Sequence, residues 1–168
     1  MWEPFFLRLC NYGFLPVHTL EAAHDKSYVH GDIKLDNIIL PMNGKLTPYL
    51  VDFGHTRHKG TEGAERSLAV GTLPFMSVNA HKEMCELAIQ ICCSLCDILP
   101  AYGRRDDILS LVYTLIYLYH GTLPWYHCKD ADQCLKLDFE HWPQLDTGLR
   151  SLLQVCSTSE HFSASLSF

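Results

Sequence analysis

The sequence predicts an α+β domain, mostly α-helical, with one small β-hairpin, and three observations carry that expectation. Residues 106–120 are apolar on nearly every helical face, through Ile108, Leu111, Val112, Leu115, Ile116, Leu118 and Tyr119. A helix that is hydrophobic all round is a buried one, so this stretch is expected to be the central post of the core, closed by Gly121. After Pro16, a residue suited to a helix's first turn, Val17, Leu20 and Ala23 recur at spacings of three, the pattern of one inward stripe. Residues 37–40 and 46–51 flank Pro41-Met42-Asn43-Gly44, where Asn-Gly supplies the positive φ that a hairpin turn requires.

The remaining segments follow from local punctuation. Residues 1–15 are rich in aromatic side chains and have no period. The first helix is expected to end near Asp25-Lys26-Ser27, and Tyr28-Val29 then leads into His30-Gly31-Asp32-Ile33-Lys34-Leu35-Asp36-Asn37. Asp52-Phe53-Gly54 comes just after the second hairpin strand, on a loop placed by rigid structure. Residues 55–70 open with a basic group, His55, Arg57, His58 and Lys59, and read either as a solvated loop or as an anion contact. Residues 83–103 read as an added apolar helix ending near Pro100, and the Ser-rich residues 157–168 as a frayed end.

Composition narrows the class. The chain has 168 residues, enough for one domain with a sizeable core, and is 48% hydrophobic with a net charge of −6. That balance gives no nucleic-acid signature. The two most apolar runs, 87–99 and 108–119, fall short of the roughly 20 residues of a membrane span. The start of the chain does not resemble a secretory signal, so an intracellular protein, cytoplasmic or nuclear, is expected. The eight cysteines follow no disulfide framework. Cys93 and Cys96 form a CxxC without a second pair, and Cys128, Cys134, His127 and His141 are the only other cluster, so small buried hydrophobes are the expected role.

The chemistry lies in the order Asp32, Lys34, Asn37, Asp52. Phosphoryl transfer calls for positioning and charge stabilisation and little covalent chemistry. Asp32 is placed to face an attacking hydroxyl, and Lys34 a transferring phosphate. Asn37 and Asp52 offer the hard oxygens that Mg²⁺ prefers. A catalytic loop followed by Asp-Phe-Gly is the protein-kinase signature. Each residue also has a plainer reading: His30 as a satisfied core histidine, Thr72 as a turn residue, Asp107 as a helix N-cap.

Three stretches resemble the casein kinase 1 and vaccinia-related branch of the protein kinases. They are Tyr28-Val-His-Gly-Asp-Ile-Lys34, then Gly71-Thr-x-x-Phe-x-Ser-x-Asn-Ala-His81, then Arg104-Arg-Asp-Asp-x-x-Ser-Leu with Gly121-x-Leu-Pro-Trp125. The resemblance implies a kinase-like C-terminal lobe, with the N-terminal lobe missing. Its parts would be a catalytic loop at 30–37, an activation segment at 52–81, an atypical insertion at 83–103 and a buried helix at 106–120. It implies Asp32 as catalytic base, Lys34 as phosphate contact and Thr72 beside the substrate hydroxyl. It also implies Asn37 and Asp52 as Mg²⁺ ligands in an ATP site, with His30, Gly54 and Asp107 as structural support. ATP and Mg²⁺ are the implied cofactors and a protein the implied substrate, with no nucleic acid and no membrane; the apolar insertion is a candidate docking surface for a partner.

The departures are specific. The sequence holds no Gly-x-Gly-x-x-Gly and no Val-Ala-x-Lys strand, so the chain alone is expected not to transfer phosphate. Gly31 stands where many kinases carry an Arg that holds a phosphorylated activation segment, so ordering by phosphorylation is not expected. Two other functions stay open. One is a non-catalytic kinase-like binding module. The other is a small-molecule phosphotransferase of the aminoglycoside or choline kind, against which Lys34 argues because those enzymes usually place His two residues after the Asp.

Overall fold

Helix α1, Leu15–Asp25, buries Leu20 completely, packs Val17 beside it, and turns His24 inward as well. It stops at Ser27, which takes the left-handed conformation (φ 62°) and donates its N–H to the His24 carbonyl at 2.9 Å. In the computed structural model the described residues are 15–39, 48–58, 71–78, 80–81 and 103–127. Within them the fold combines two helices, two short antiparallel ribbons and three 3₁₀ turns. The expected hairpin turn at 41–44, most of the insertion at 83–103 and the end at 157–168 lie outside the described residues.

The ribbons are short. Strand β2, Ile38–Ile39, pairs with β3, Tyr49–Leu50, in the register Ile38 to Leu50 and Ile39 to Tyr49. Asn37, expected in the first strand, belongs to a 3₁₀ turn, Leu35–Asn37; of the second expected run Pro48 and Val51 flank the strand, and residues 40 and 46–47 lie outside the described residues. The alternation holds: Ile38 and Leu50 face the core while Ile39 and Tyr49 are half exposed. A second ribbon joins β1, Tyr28–Val29, to β4, Arg57–His58. It brackets the 30–37 loop on one side and the 52–56 segment on the other.

Helix α2, Arg104–His120, starts two residues before the expected position. Asp106 supports that start by accepting the Gly103 N–H at 2.7 Å, and Gly121 (φ 77°) ends the helix with its N–H on the Tyr117 carbonyl at 2.7 Å. The all-round apolar pattern has a direct cause, since α2 serves two clusters. Leu109, Val112, Tyr113 and Ile116 pack with Phe75, Leu123 and Trp125, while Leu111 packs with Leu20, Ile33, Ile38 and Leu50. Full burial of such a side chain contributes about 1.5–3 kcal/mol. Thr114, fully buried on α2, satisfies its hydroxyl by donating back to the Ser110 carbonyl at 2.8 Å.

Candidate active site

The 30–37 loop is built from the inside outward. His30 is fully buried, its Nδ1 accepts the Asp32 N–H at 3.3 Å, and its Nε2–H donates to the Val51 carbonyl at 3.2 Å. Val51 in turn donates its N–H to the Asn37 carbonyl at 2.9 Å. The loop is thereby tied to the strand that delivers Asp52. Gly31 takes φ 85°, and a Cβ there would lie 2.8 Å from the His55 carbonyl oxygen. Its backbone conformation and this close approach together call for glycine. Asp107, fully buried on α2, accepts the His30 N–H at 2.7 Å on Oδ2 and the Gly31 N–H at 3.0 Å on Oδ1.

Asp32 sits at the centre of a converging set of donors and is only 5% exposed. Its Oδ1 accepts from both the Thr72 N–H (2.9 Å) and the Thr72 hydroxyl (2.8 Å). Its Oδ2 meets the Lys34 ammonium at 2.8 Å and, more loosely, the Asn37 amide at 3.4 Å. Lys34 also donates to Thr72 Oγ1 at 3.0 Å, and Asn37 Nδ2 donates to the Asp32 carbonyl at 2.8 Å. Burial pushes the Asp32 carboxyl up, but the Lys34 and Thr72 contacts outweigh it, so it titrates below the ordinary Asp value. Thr72 reaches this position because Gly71 lets the chain pass close: a Cβ on Gly71 would lie 2.9 Å from the Gly31 carbonyl oxygen.

Asp52 is held differently. It is exposed, in the left-handed region (φ 62°, ψ 72°), and its Oδ1 accepts the N–H of Gly54 at 3.2 Å. The next residue, Phe53, lays its ring against His30 with centroids 4.9 Å apart. The structure thus joins Asp32, Lys34, Asn37 and Thr72 in one hydrogen-bonded group, while the Asp52 carboxylate turns to the N–H of Gly54. Among the described residues no cluster of three or more His, Cys, Asp or Glu side chains is arranged to hold a metal ion. No helix there is long and apolar enough to cross a membrane.

Segment 71–81 is pinned to α2 and to the 121–127 turn. The Trp125 indole N–H donates to the Pro74 carbonyl at 2.7 Å, and Ser77 donates its hydroxyl to Asp106 while accepting the Ala80 N–H at 3.0 Å. His81, 4% exposed, bonds the Leu73 carbonyl through Nε2 at 2.8 Å, and burial holds its pKa below the usual histidine value, with that bond opposing the shift.

Two contacts of this arrangement escape a sequence reading. His24 bonds Asp107 Oδ2 at 2.9 Å. Its signal was its spacing, since positions 17, 20 and 24 share one helical face and a polar residue on an inward stripe needs a partner. Ser77 and Asp106, 29 residues apart, carry no local signal that they meet.

Curated proteins share this sequence pattern. Over 129 residues the chain is 32% identical to a protein of Dictyostelium discoideum named "Probable serine/threonine-protein kinase", covering 72% of this chain and 23% of that protein. Over 116 residues it is 34% identical to a "Probable casein kinase I homolog" of Encephalitozoon cuniculi, covering 65% of this chain and 30% of that one. The likeness is to serine/threonine protein kinases. The matched region is less than a third of the length of either relative. No protein-family model matches the chain.

Proposed function

We propose that this chain carries the catalytic-loop half of a serine/threonine protein kinase domain of the casein kinase 1-like kind, transferring the ATP γ-phosphate to a protein hydroxyl. Under this reading the described residues form part of the C-terminal lobe, with the activation segment running from 52 to 81. The carrying observation is the Asp32 carboxylate, aimed by Thr72 and Lys34 and backed by the Asn37 amide. Thr72 fills Oδ1 with two short bonds, whereas the Asn37 contact on Oδ2 is long. Oδ2 is therefore the oxygen that accepts the acceptor hydroxyl's hydrogen bond and, as the new P–O bond forms, its proton. Lys34, beside that oxygen, places its positive charge where a phosphate oxygen gathers negative charge.

The donor set suits Mg²⁺. Asn37 commits its amide nitrogen to Asp32, which leaves Oδ1 as an acceptor, and Asp52 offers an exposed carboxylate. Mg²⁺ is normally held by one or two protein carboxylates together with substrate phosphates, so two protein oxygens are an ordinary complement. When bound, the ion neutralises charge on the phosphate oxygens.

The test joins residues 15–168 behind the ATP-binding lobe of a casein kinase I protein and supplies radiolabelled ATP with casein. Label on serine or threonine, falling at least about 100-fold in Asp32→Asn, is the expected result. Undiminished transfer by that variant removes the base assignment. Absence of transfer by the joined protein, with the fold intact by circular dichroism, favours a binding module.

A further inference from the structure

We propose that Asp36 and the tyrosine pair Tyr117 and Tyr126 form a subsite for a cationic side chain, arginine above all, carried by the protein substrate beside its acceptor hydroxyl. The proposal rests on the kinase reading and names a substrate class for that site. Two elements bring the subsite up to Asp32. The 3₁₀ turn Leu35–Asn37 buries Asn37 against Asp32 and leaves its neighbour Asp36 exposed. On the other side Thr72, bonded to Asp32, accepts the Phe75 N–H on its carbonyl at 2.8 Å. The Phe75 ring stands perpendicular to Tyr117, with centroids 5.5 Å apart. Tyr126, just past the end of α2, stacks on Tyr117 at 5.1 Å with 14° between the rings, and both tyrosines are only partly buried.

The chemistry of this edge has one sign. Among the described residues the Asp36 carboxylate has no hydrogen-bond or ion-pair partner. Lys34, the nearest cation in sequence, is committed to Asp32 and Thr72. The charge of Asp36 still reaches the tyrosines. The Tyr117 phenol is pushed above its ordinary value first by the Tyr126 hydroxyl beside it, then by burial, and also by Asp36. A carboxylate and phenol oxygens accept hydrogen bonds, and aromatic rings attract cations. A guanidinium suits this set best, because its planar fork gives two N–H bonds to one carboxylate while its face lies against a ring. An acidic side chain at the same place meets repulsion from Asp36. The net charge of −6 favours the same class of partner at longer range.

The experiment titrates the full 168-residue chain by NMR with serine-centred peptides in an alanine background. Each peptide carries a single Arg, norleucine or Glu, moved through the flanking positions in turn. At one position Arg should bind about 10-fold more tightly than norleucine, with Glu weakest, and the Asp36, Tyr117 and Tyr126 signals should shift. Asp36→Asn should erase that preference, and Tyr126→Leu should reduce it about 3-fold. Glu21→Gln removes the same charge from the exposed side of α1 and should leave the preference whole. Equal binding of Arg and norleucine at every position overturns the proposal, as does a preference that survives Asp36→Asn. An equal loss in Glu21→Gln also overturns it, since net charge alone would then be the cause. Should Tyr126→Leu fail to fold, the Asp36→Asn and Glu21→Gln pair still decides. The same peptides given to the joined protein with labelled ATP separate the two ideas. An Arg preference in binding without transfer removes the reaction and leaves the subsite, whereas transfer indifferent to Arg leaves the reaction and removes the subsite.

Discussion

Asp32 and Asp52 are the same side chain on neighbouring loops, and the molecule treats them in opposite ways. Asp32 is buried, with Thr72, Lys34 and Asn37 holding its carboxylate from two sides. Asp52 is exposed, and the bond on its carboxylate comes from its own turn. The first is oriented by the fold before any ligand arrives, as a group acting on a developing charge should be. The second is placed by its backbone alone, which suits a carboxylate whose partner is a cation arriving with the substrate. The contrast traces to α2, because Asp107 reaches the His30 and Gly31 amides, whereas the Asp52 carboxylate is met by the Gly54 N–H of its own turn.

The largest expected effect comes from breaking the rigid side at its source. Asp107→Ala removes the acceptor for His24, His30 and Gly31 and leaves their donors buried. Deleting one partner from a buried charged arrangement typically costs 3–5 kcal/mol, and about that loss in unfolding free energy is expected from urea titration followed by tryptophan fluorescence. A loss below about 1 kcal/mol would mean that the loop is held by something other than Asp107.

Next in size are the two glycines. Gly31→Ala places a Cβ at φ 85° and 2.8 Å from a backbone oxygen that cannot swing away, and should cost about 1–3 kcal/mol. Gly54→Ala meets only the exposed Asp52 Oδ1, at 3.1 Å, and the carboxylate can rotate. Its cost should stay under about 1 kcal/mol. Equal losses in the same urea titration would mean that the Asp52 turn is as constrained as the Asp32 loop.

What the sequence made legible follows the same division. Residues close in sequence with distinctive chemistry, Asp32, Lys34 and Asn37, could be placed on one loop, and the structure brings them together with Thr72. Both helices were readable, α1 from apolar residues at a repeated spacing and α2 from a run apolar on nearly every face, although α2 begins at Arg104, where a charged pair hides its start. The ribbon between Tyr28–Val29 and Arg57–His58 was not legible, since two-residue strands show no alternation and their partners are far apart in the chain. His24 was passed over because the stripe was read for apolar residues and took Ala23, whereas the buried position binds a carboxylate. Gly31 was read for the arginine it lacks. The structure shows what the glycine provides, a left-handed turn against His55.

A smaller effect concerns pH. His81 has its pKa held below the ordinary value of 6.5 by burial, so its contribution to stability is complete above 6.5. It declines as pH falls below that value, because the unfolded chain takes up a proton that the fold resists. Asp106, raised above 3.8 by burial against the Ser77 and Gly103 bonds, contributes below 3.8 and loses that contribution as pH rises through its folded value. Asp32, lowered, contributes above 3.8 and is lost in stronger acid. Replacing His81 by Gln keeps a donor for the Leu73 carbonyl and removes the titration. The stability difference between wild type and His81→Gln should change between pH 7.5 and 5.0, with a slope of at most about 1.4 kcal/mol per pH unit. A constant difference would show that His81 titrates alike folded and unfolded.

The smallest stability effect belongs to Asp52, and there the comparison is sharpest. Asp52→Ala deletes one hydrogen bond within an exposed turn, and surface changes of this kind usually fall within ±0.5 kcal/mol. The substitution also relieves nothing large, since the left-handed backbone at φ 62° persists whichever of the two side chains is present. Asp32→Ala instead leaves the Lys34 ammonium without its carboxylate and the Thr72 N–H without its acceptor, which should cost about 1–3 kcal/mol. In the joined protein, however, the two changes should converge, each removing transfer: Asp32 because the hydroxyl loses its proton acceptor, Asp52 because the magnesium ion loses a protein oxygen. Asp52→Ala should therefore keep the wild-type unfolding curve and the wild-type Asp32 titration while its Mg²⁺-dependent label disappears. Full transfer by that variant would leave Asn37 as the only proposed protein ligand and take Asp52 out of the metal site. Conversely, a stability loss of 2 kcal/mol or more, on the order of a buried network's cost, would place Asp52 with Asp32 among the groups the fold itself holds.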